Sequence, residues 1–319
     1  MATASASEWL QQDERRMLHA VYRVGDMEKT IDYYKKCFGM KLLRFRDIPE
    51  EKYSNAFLGF GPEDTNFALE LTYNYGVDSY DIGEGFGHFA IATNDVYKLC
   101  DQVKAQGGKV SREPGPVKGG KTVIAFVEDP TGYKWEVIGR EGDIPEPIAQ
   151  VMLRVGDLDK SIKFYTEALG CKLLRTRDNP EYKYTLAFLG ESEGGLAYQE
   201  EDKGCVFELT YNYGVSSYPN KGDGYAQVAI STKLADDTPG TAAIRLGRGQ
   251  GGPAEDVYKT AEQIKAAGGK VTKEPGAIPG LGTKVMACTD PDGYKVVFVD
   301  NEDFLKELKK EEEEEKKKE

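Results

Sequence analysis

The 319-residue chain contains two histidines, His19 and His88. Imidazole transfers protons near neutral pH and ligates metals, so their settings come first. Each lies at or near the start of a short run with β character, LHAVYRV around His19 and HFAIAT from His88. Period-2 alternation puts His19, Val21 and Arg23 on one face, opposite Leu18, Ala20, Tyr22 and Val24. In NFALELTYN it sets Ala68, Glu70, Thr72 and Asn74 opposite Phe67, Leu69, Leu71 and Tyr73. In YKWEVI, Glu136 faces away from Trp135 and Val137. Any one of His19, Glu70, His88 and Glu136 could be an ordinary sheet residue with a hydrogen-bonding partner. All four at equivalent strand positions argue for a shared task. An imidazole and carboxylate set without thiolates suits a divalent ion that keeps water positions open: Ni2+, Co2+, Mn2+ or Zn2+.

The elements that must carry these groups repeat. LHAVYRVGDMEKTIDYYKKCFGMKLLRFRD (18–47) returns as AQVMLRVGDLDKSIKFYTEALGCKLLRTRD (149–178), and ELTYNYGVDSY (70–80) as ELTYNYGVSSY (208–218). EDPTGYKWEV (128–137) returns as TDPDGYKVVF (289–298). Such self-similarity means two homologous domains. The expected divisions are an N-terminal extension (1–16), a first domain (17–142), a second (148–301) with a loop insertion near 233–254, and a charged tail (302–319). Each domain divides again. After the first strand, Asp26 can cap a helix with an apolar face of Met27, Ile31, Tyr34 and Phe38, and three strands follow. From HFAIAT the order recurs, with Val96, Leu99 and Val103 along one side of the helix. The reading is α+β: four β-α-β-β-β units, two per domain, and not a doubly wound sheet.

Composition narrows the partners. A net charge of −12, with Lys and Arg scattered, argues against nucleic acid or an anionic membrane as partner. No apolar run reaches the length of a membrane span, and no secretory signal is visible. Five scattered cysteines suit a reducing, cytoplasmic setting. Gly247-x-Gly249-x-x-Gly252 formally matches a dinucleotide fingerprint, but no strand leads into it, so it reads as a loop. The tail KELKKEEEEEKKKE shows no apolar stripe and is expected to be a frayed helix or disordered.

FALELTYNYGVDSYDIGEGFGHFAIAT, flanked by LHAVYRVGDMEKTIDYYKKCFGMKLLR and FVEDPTGYKWEVI, resembles glyoxalase I (lactoylglutathione lyase). The resemblance is to the long two-domain plant form in the vicinal oxygen chelate superfamily, and it covers about 17–300. It implies two tandem glyoxalase-type domains with cup-shaped mixed β-sheets. The implied reaction isomerises the methylglyoxal–glutathione hemithioacetal to S-D-lactoylglutathione, with glutathione as co-substrate. It also implies a metal held by a His-or-Gln, Glu, His, Glu quartet, and glutathione held by an Arg and an Asn, each four residues beyond a ligand.

The matching positions of the second domain are Gln150, Glu208, Gln227 and Val297. Valine cannot coordinate, so one divalent metal per chain is expected, Ni2+ favoured, with Zn2+ or Co2+ as alternatives. In the family's common dimers, the first unit of one subunit shares a site with the second unit of the other. Carried onto this fused chain, that pairing makes the metal set His88, Glu136, Gln150 and Glu208. The alternative keeps the site within domain one, as His19, Glu70, His88 and Glu136. The shared site is favoured, with Glu136 as catalytic base and Glu208 as its partner in proton return. Arg154 and Asn212 then hold the glutamyl carboxylate (Arg23 and Asn74 in the alternative), and Lys118 and Lys121 the glycyl end. Fusion of the domains favours a monomer. Two other functions fit such sheets: a ring-cleaving metal dioxygenase, and a non-catalytic small-molecule binding protein.

Overall fold

The computed structural model describes residues 15–118, 120–190, 204–232 and 256–317. The insertion near 233–254, with its glycine pattern, and most of the N-terminal extension lie outside the described residues. The remainder falls into four similar units. Unit one runs β1 (Arg16–Arg23), α1 (Met27–Tyr33), β2 (Lys41–Ile48), β3 (Tyr53–Gly59) and β4 (Ala68–Asn74). Unit two runs β5 (Phe86–Thr93), α2 (Val96–Ala105), β6 (Lys109–Pro116), β7 (Val123–Glu128) and β8 (Lys134–Gly139). Unit three runs β9 (Ile148–Arg154), α3 (Leu158–Glu167), β10 (Lys172–Asn179), β11 (Tyr184–Gly190) and β12 (Val206–Asn212). Unit four runs β13 (Tyr225–Thr232), α4 (Asp256–Ala266), β14 (Lys270–Ala277), β15 (Lys284–Thr289) and β16 (Lys295–Asp300), and a last helix α5 (Asn301–Lys316) follows.

Local chemistry explains the repeat. Asp26, Asp95 and Asp157 each cap a helix by accepting from the backbone N–H three residues on, at 3.0 Å. α1 runs into a π-helical turn, Tyr34–Phe38, closed by Gly39 at φ 76°. The buried face takes in Thr30, Tyr33 and Cys37 together with Met27, Tyr34 and Phe38, while Ile31 stays only partly buried. The expected face, Met27, Ile31, Tyr34 and Phe38, missed Thr30, Tyr33 and Cys37.

Within every unit the first strand pairs parallel with the last. The units join through antiparallel pairing of their first strands, β1 with β13 and β5 with β9. Sheet I therefore has the order β14-β15-β16-β13-β1-β4-β3-β2, from units four and one. Sheet II has the order β10-β11-β12-β9-β5-β8-β7-β6, from units three and two. One continuous core includes residues of both sheets and of α1–α4, with Tyr22, Phe89, Trp135, Tyr165, Phe207 and Phe298 fully enclosed. The opposite face of each sheet carries a smaller apolar cluster and the candidate ligands.

The charged tail departs from expectation. α5 is a helix whose Phe304 is buried and whose Leu308, one turn on, packs beside it against Val285, Val297 and Val299 of sheet I. Glu307 and Glu311, also four apart, pair with Arg44 and Arg46. A stripe one turn long suffices when the sheet supplies the partners. Among the described residues no helix is long and apolar enough to cross a membrane.

Candidate metal and substrate site

On the open face of sheet II, four adjacent strands, β12-β9-β5-β8, carry Glu208, Gln150, His88 and Glu136. His88 Nε2 lies 3.4 Å from Glu136 Oε2 and 3.7 Å from Glu208 Oε2. The ligand-type atoms of His88, Glu136 and Glu208 all fall within 4.8 Å of one another, the one such group of three among the described residues. Gln150 is buried next to them, and its Oε1 has no hydrogen-bond partner among the described residues. Phe126 sets its ring edge-on to His88 at 5.4 Å, fixing the imidazole from the side.

Burial alone would push the His88 pKa down. The nearby carboxylates of Glu136 and Glu208 outweigh it and raise the value to about 9. The set thus holds two carboxylates and a spare amide oxygen around one imidazole, and it draws positive charge. Its donors are nitrogen and oxygen only, which fits a divalent cation.

Of the sequence-predicted substrate residues, Arg154 and Asn212 lie on the strands that carry Gln150 and Glu208. Arg154, at the end of β9, and Asn212, at the end of β12, line one cavity of about 630 Å3 together with Phe86, Lys134, Ser217 and Tyr218. Arg154 Nη1 donates to the carbonyls of Glu84 at 2.8 Å and Phe86 at 3.0 Å. Asn212 Nδ2 donates to the Tyr218 hydroxyl at 2.6 Å. Lys118 is exposed and paired with Glu181 at 2.7 Å, a contact between units two and three, and Lys121 is exposed. Lys134 and Glu181 were not singled out from sequence. Lys134 precedes Glu136 by two residues, on the same face by alternation, and could have been found, whereas nothing local marks Glu181.

The other candidates lie on sheet I. His19 Nε2 pairs with Glu70 Oε2 at 3.1 Å, and Asn55 donates to the same carboxylate. Gln227 sits opposite Val21, and Val297 lies in the apolar cluster under Phe304. Arg23 donates to the Asp223 carbonyl and Asn74 to the Tyr80 hydroxyl. His19 and Glu70 therefore do not share a face with His88 and Glu136.

The profile of the Glyoxalase/Bleomycin resistance protein/Dioxygenase superfamily matches residues 16–137 and 147–298, and the chain belongs to that superfamily. It is 64% identical over 300 residues to a probable chloroplastic lactoylglutathione lyase of Arabidopsis thaliana, covering 94% of this chain and 77% of the relative. It is 61% identical over 306 residues to a lactoylglutathione lyase of Oryza sativa subsp. japonica, covering 94% of each. The crystal structure of glyoxalase I from Zea mays superposes with a TM-score of 0.84 at 60% identity, covering 95% of this chain and 99% of that one. Within the superfamily it is a member of the two-domain, plant-type glyoxalase I (lactoylglutathione lyase) family.

Proposed function

We propose that the chain works as a lactoylglutathione lyase on the open face of sheet II. One divalent ion is held there by His88, Glu136, Gln150 and Glu208. The observation that carries this reading is the strand order β12-β9-β5-β8, with His88, Glu136 and Glu208 within 4.8 Å of one another. A divalent ion bound there supplies Lewis acidity for the negative charge that develops on adjacent substrate oxygens.

The chain's residues do the rest. Arg154 and Asn212 receive the glutamyl carboxylate of the glutathione hemithioacetal, since a guanidinium fork matches a carboxylate. Four residues along a strand span roughly 13 Å, within reach of an extended tripeptide. Lys118 and Lys121 meet the glycyl end, where Lys118 exchanges its Glu181 partner for the substrate. Glu136 takes the proton from the carbon beside the carbonyl, and Glu208, facing it across His88, shares in its return to the neighbouring carbon. The overall change is redox-neutral, so no nicotinamide or flavin is required.

The favoured ion is Ni2+, and the protein acts as a monomer because its two domains supply each other's first-strand partners. Five cysteines, four of them buried, fit a reducing compartment such as the cytoplasm. The test is S-lactoylglutathione formation by nickel-loaded Glu208→Ala and Glu70→Ala proteins. Loss of about 100-fold or more in the first, with the second near wild type, is expected. An active, folded Glu208→Ala protein would move the site elsewhere.

A further inference from the structure

Unit four carries Gln227 and Val297 where unit two carries His88 and Glu136, yet its β15–β16 hairpin reaches across to sheet II. The Tyr294 hydroxyl donates to the Arg154 carbonyl at 2.8 Å. Asp292 Oδ1 accepts from the Gly156 N–H at 2.9 Å, and Oδ2 from the Ser161 hydroxyl at 3.2 Å. The end of β9 is thus gripped on both sides of Val155. Asp290, at the base of the hairpin, accepts from the N–H groups of Asp292 at 3.0 Å and Tyr294 at 2.8 Å, which fixes the gripping residues themselves.

The approach is close. A Cβ on Gly85, whose carbonyl accepts from the Arg154 N–H, would come within 2.4 Å of the Tyr294 hydroxyl. Tyr294 is buried, and burial with the nearby Asp290 charge keeps its phenol protonated as a donor. The symmetry-related hairpin of unit two is weaker. Tyr133 donates to the Arg23 carbonyl at 3.1 Å, but Thr131 stands where Asp292 does, with no carboxylate to offer. The fuller grip falls on the arginine beside the His88 site.

We propose that Tyr294 and Asp292 are positioning residues for Arg154. The unit that lacks the histidine–glutamate pair sets the substrate arm of the face that has it. This assignment rests on Arg154 as the ligand of the glutamyl carboxylate. A guanidinium pairs bidentately only from one placement, and its root here is backbone held by two side chains of another unit.

The test compares wild type with Arg154→Lys, Tyr294→Phe, Asp292→Ala, Asp292→Asn and Tyr133→Phe. Steady-state kinetics on the hemithioacetal are measured with calorimetric binding of S-hexylglutathione and of S-hexyl-cysteinylglycine, which lacks the glutamyl residue. Arg154→Lys should weaken S-hexylglutathione about tenfold or more and leave the shorter ligand unchanged. Tyr294→Phe and Asp292→Ala should weaken it by about three- to tenfold, raise KM by a like factor and keep kcat within about twofold. Asp292→Asn keeps an acceptor oxygen and should recover near wild-type binding, and Tyr133→Phe should match wild type.

Equal weakening of both ligands, a fall in kcat without a rise in KM, or no change would overturn the assignment. So would a KM rise in Tyr133→Phe equal to that in Tyr294→Phe. Should Tyr294→Phe fail to fold, Asp292→Ala compared with Asp292→Asn decides between the same outcomes. If Arg154→Lys leaves discrimination intact, the role of Arg154 falls and this inference with it. If Arg154→Lys removes discrimination and the hairpin variants do not, only this inference falls.

Discussion

The open faces of the two sheets began as the same design and now differ in charge. On sheet II, two carboxylates and an amide oxygen gather around His88. On sheet I, His19 and Glu70 pair with each other, and the second pair of ligand positions is Gln227 and Val297. Lys295 lies directly opposite Gln227, and burial together with Lys273 and Arg23 holds its pKa below the usual lysine range. One face gathers two carboxylates around its imidazole, while the other sets a lysine beside its amide. The apolar part of sheet I is closed by α5 through Phe304 and Leu308, and Glu307 and Glu311 clasp Arg44 and Arg46 beside it. The sheet I face thus seats the chain's own helix.

That contrast can be broken or sharpened by substitution. The largest effect should come from the histidines. His88→Ala should lower turnover about 100-fold or more and abolish stoichiometric metal, measured by elemental analysis, whereas His19→Ala should stay within about twofold. Comparable losses from both would erase the distinction between the faces.

Phe304→Ala should act in the opposite sense, on stability alone. Removing a buried aromatic from the sheet I cluster should cost about 3 kcal/mol in denaturant unfolding while leaving kinetics within about twofold. Lost activity at full folding would tie α5 to the chemistry.

The smallest effect is a pH slope. Burial raises the Asp290 carboxyl to about 7 and the Asp129 carboxyl to about 6, against an ordinary value of 3.8. The folded chain therefore binds more protons than the unfolded chain between the ordinary and the raised value, so stability falls as pH rises through that window. Asp290→Asn should flatten the decline of Tm with pH, and Asp129→Asn should flatten it over a narrower range. An unchanged slope in Asp290→Asn would mean that the turn's N–H donors fully offset its burial.

Much of this was legible along the chain. The aspartate caps, the alternation in ALELTYN and the duplicated segments are local patterns, so they announce strands, helices and repeats. The turn Tyr34–Phe38 was not legible, because a π turn leaves no periodic mark distinct from a helix. Nor was the docking of α5, whose partners Arg44 and Arg46 lie over 250 residues earlier. Glu181 beside Lys118 is another such case, since an exposed acid carries no sign of which lysine it will meet.

The sequence by itself determined the residue types able to ligate, the faces they take along each strand and, in unit four, the weak amide of Gln227 in place of an imidazole and the non-ligating Val297 in place of a carboxylate. Only the tertiary structure decided which units meet. Strands β1 and β5 could each have paired with several partners on alternation alone, because every unit presents the same period-2 pattern. The antiparallel joins of β5 with β9 and of β1 with β13 are long-range pairings, and they bring Glu136 and Glu208 to one imidazole and leave His19 and Glu70 to each other.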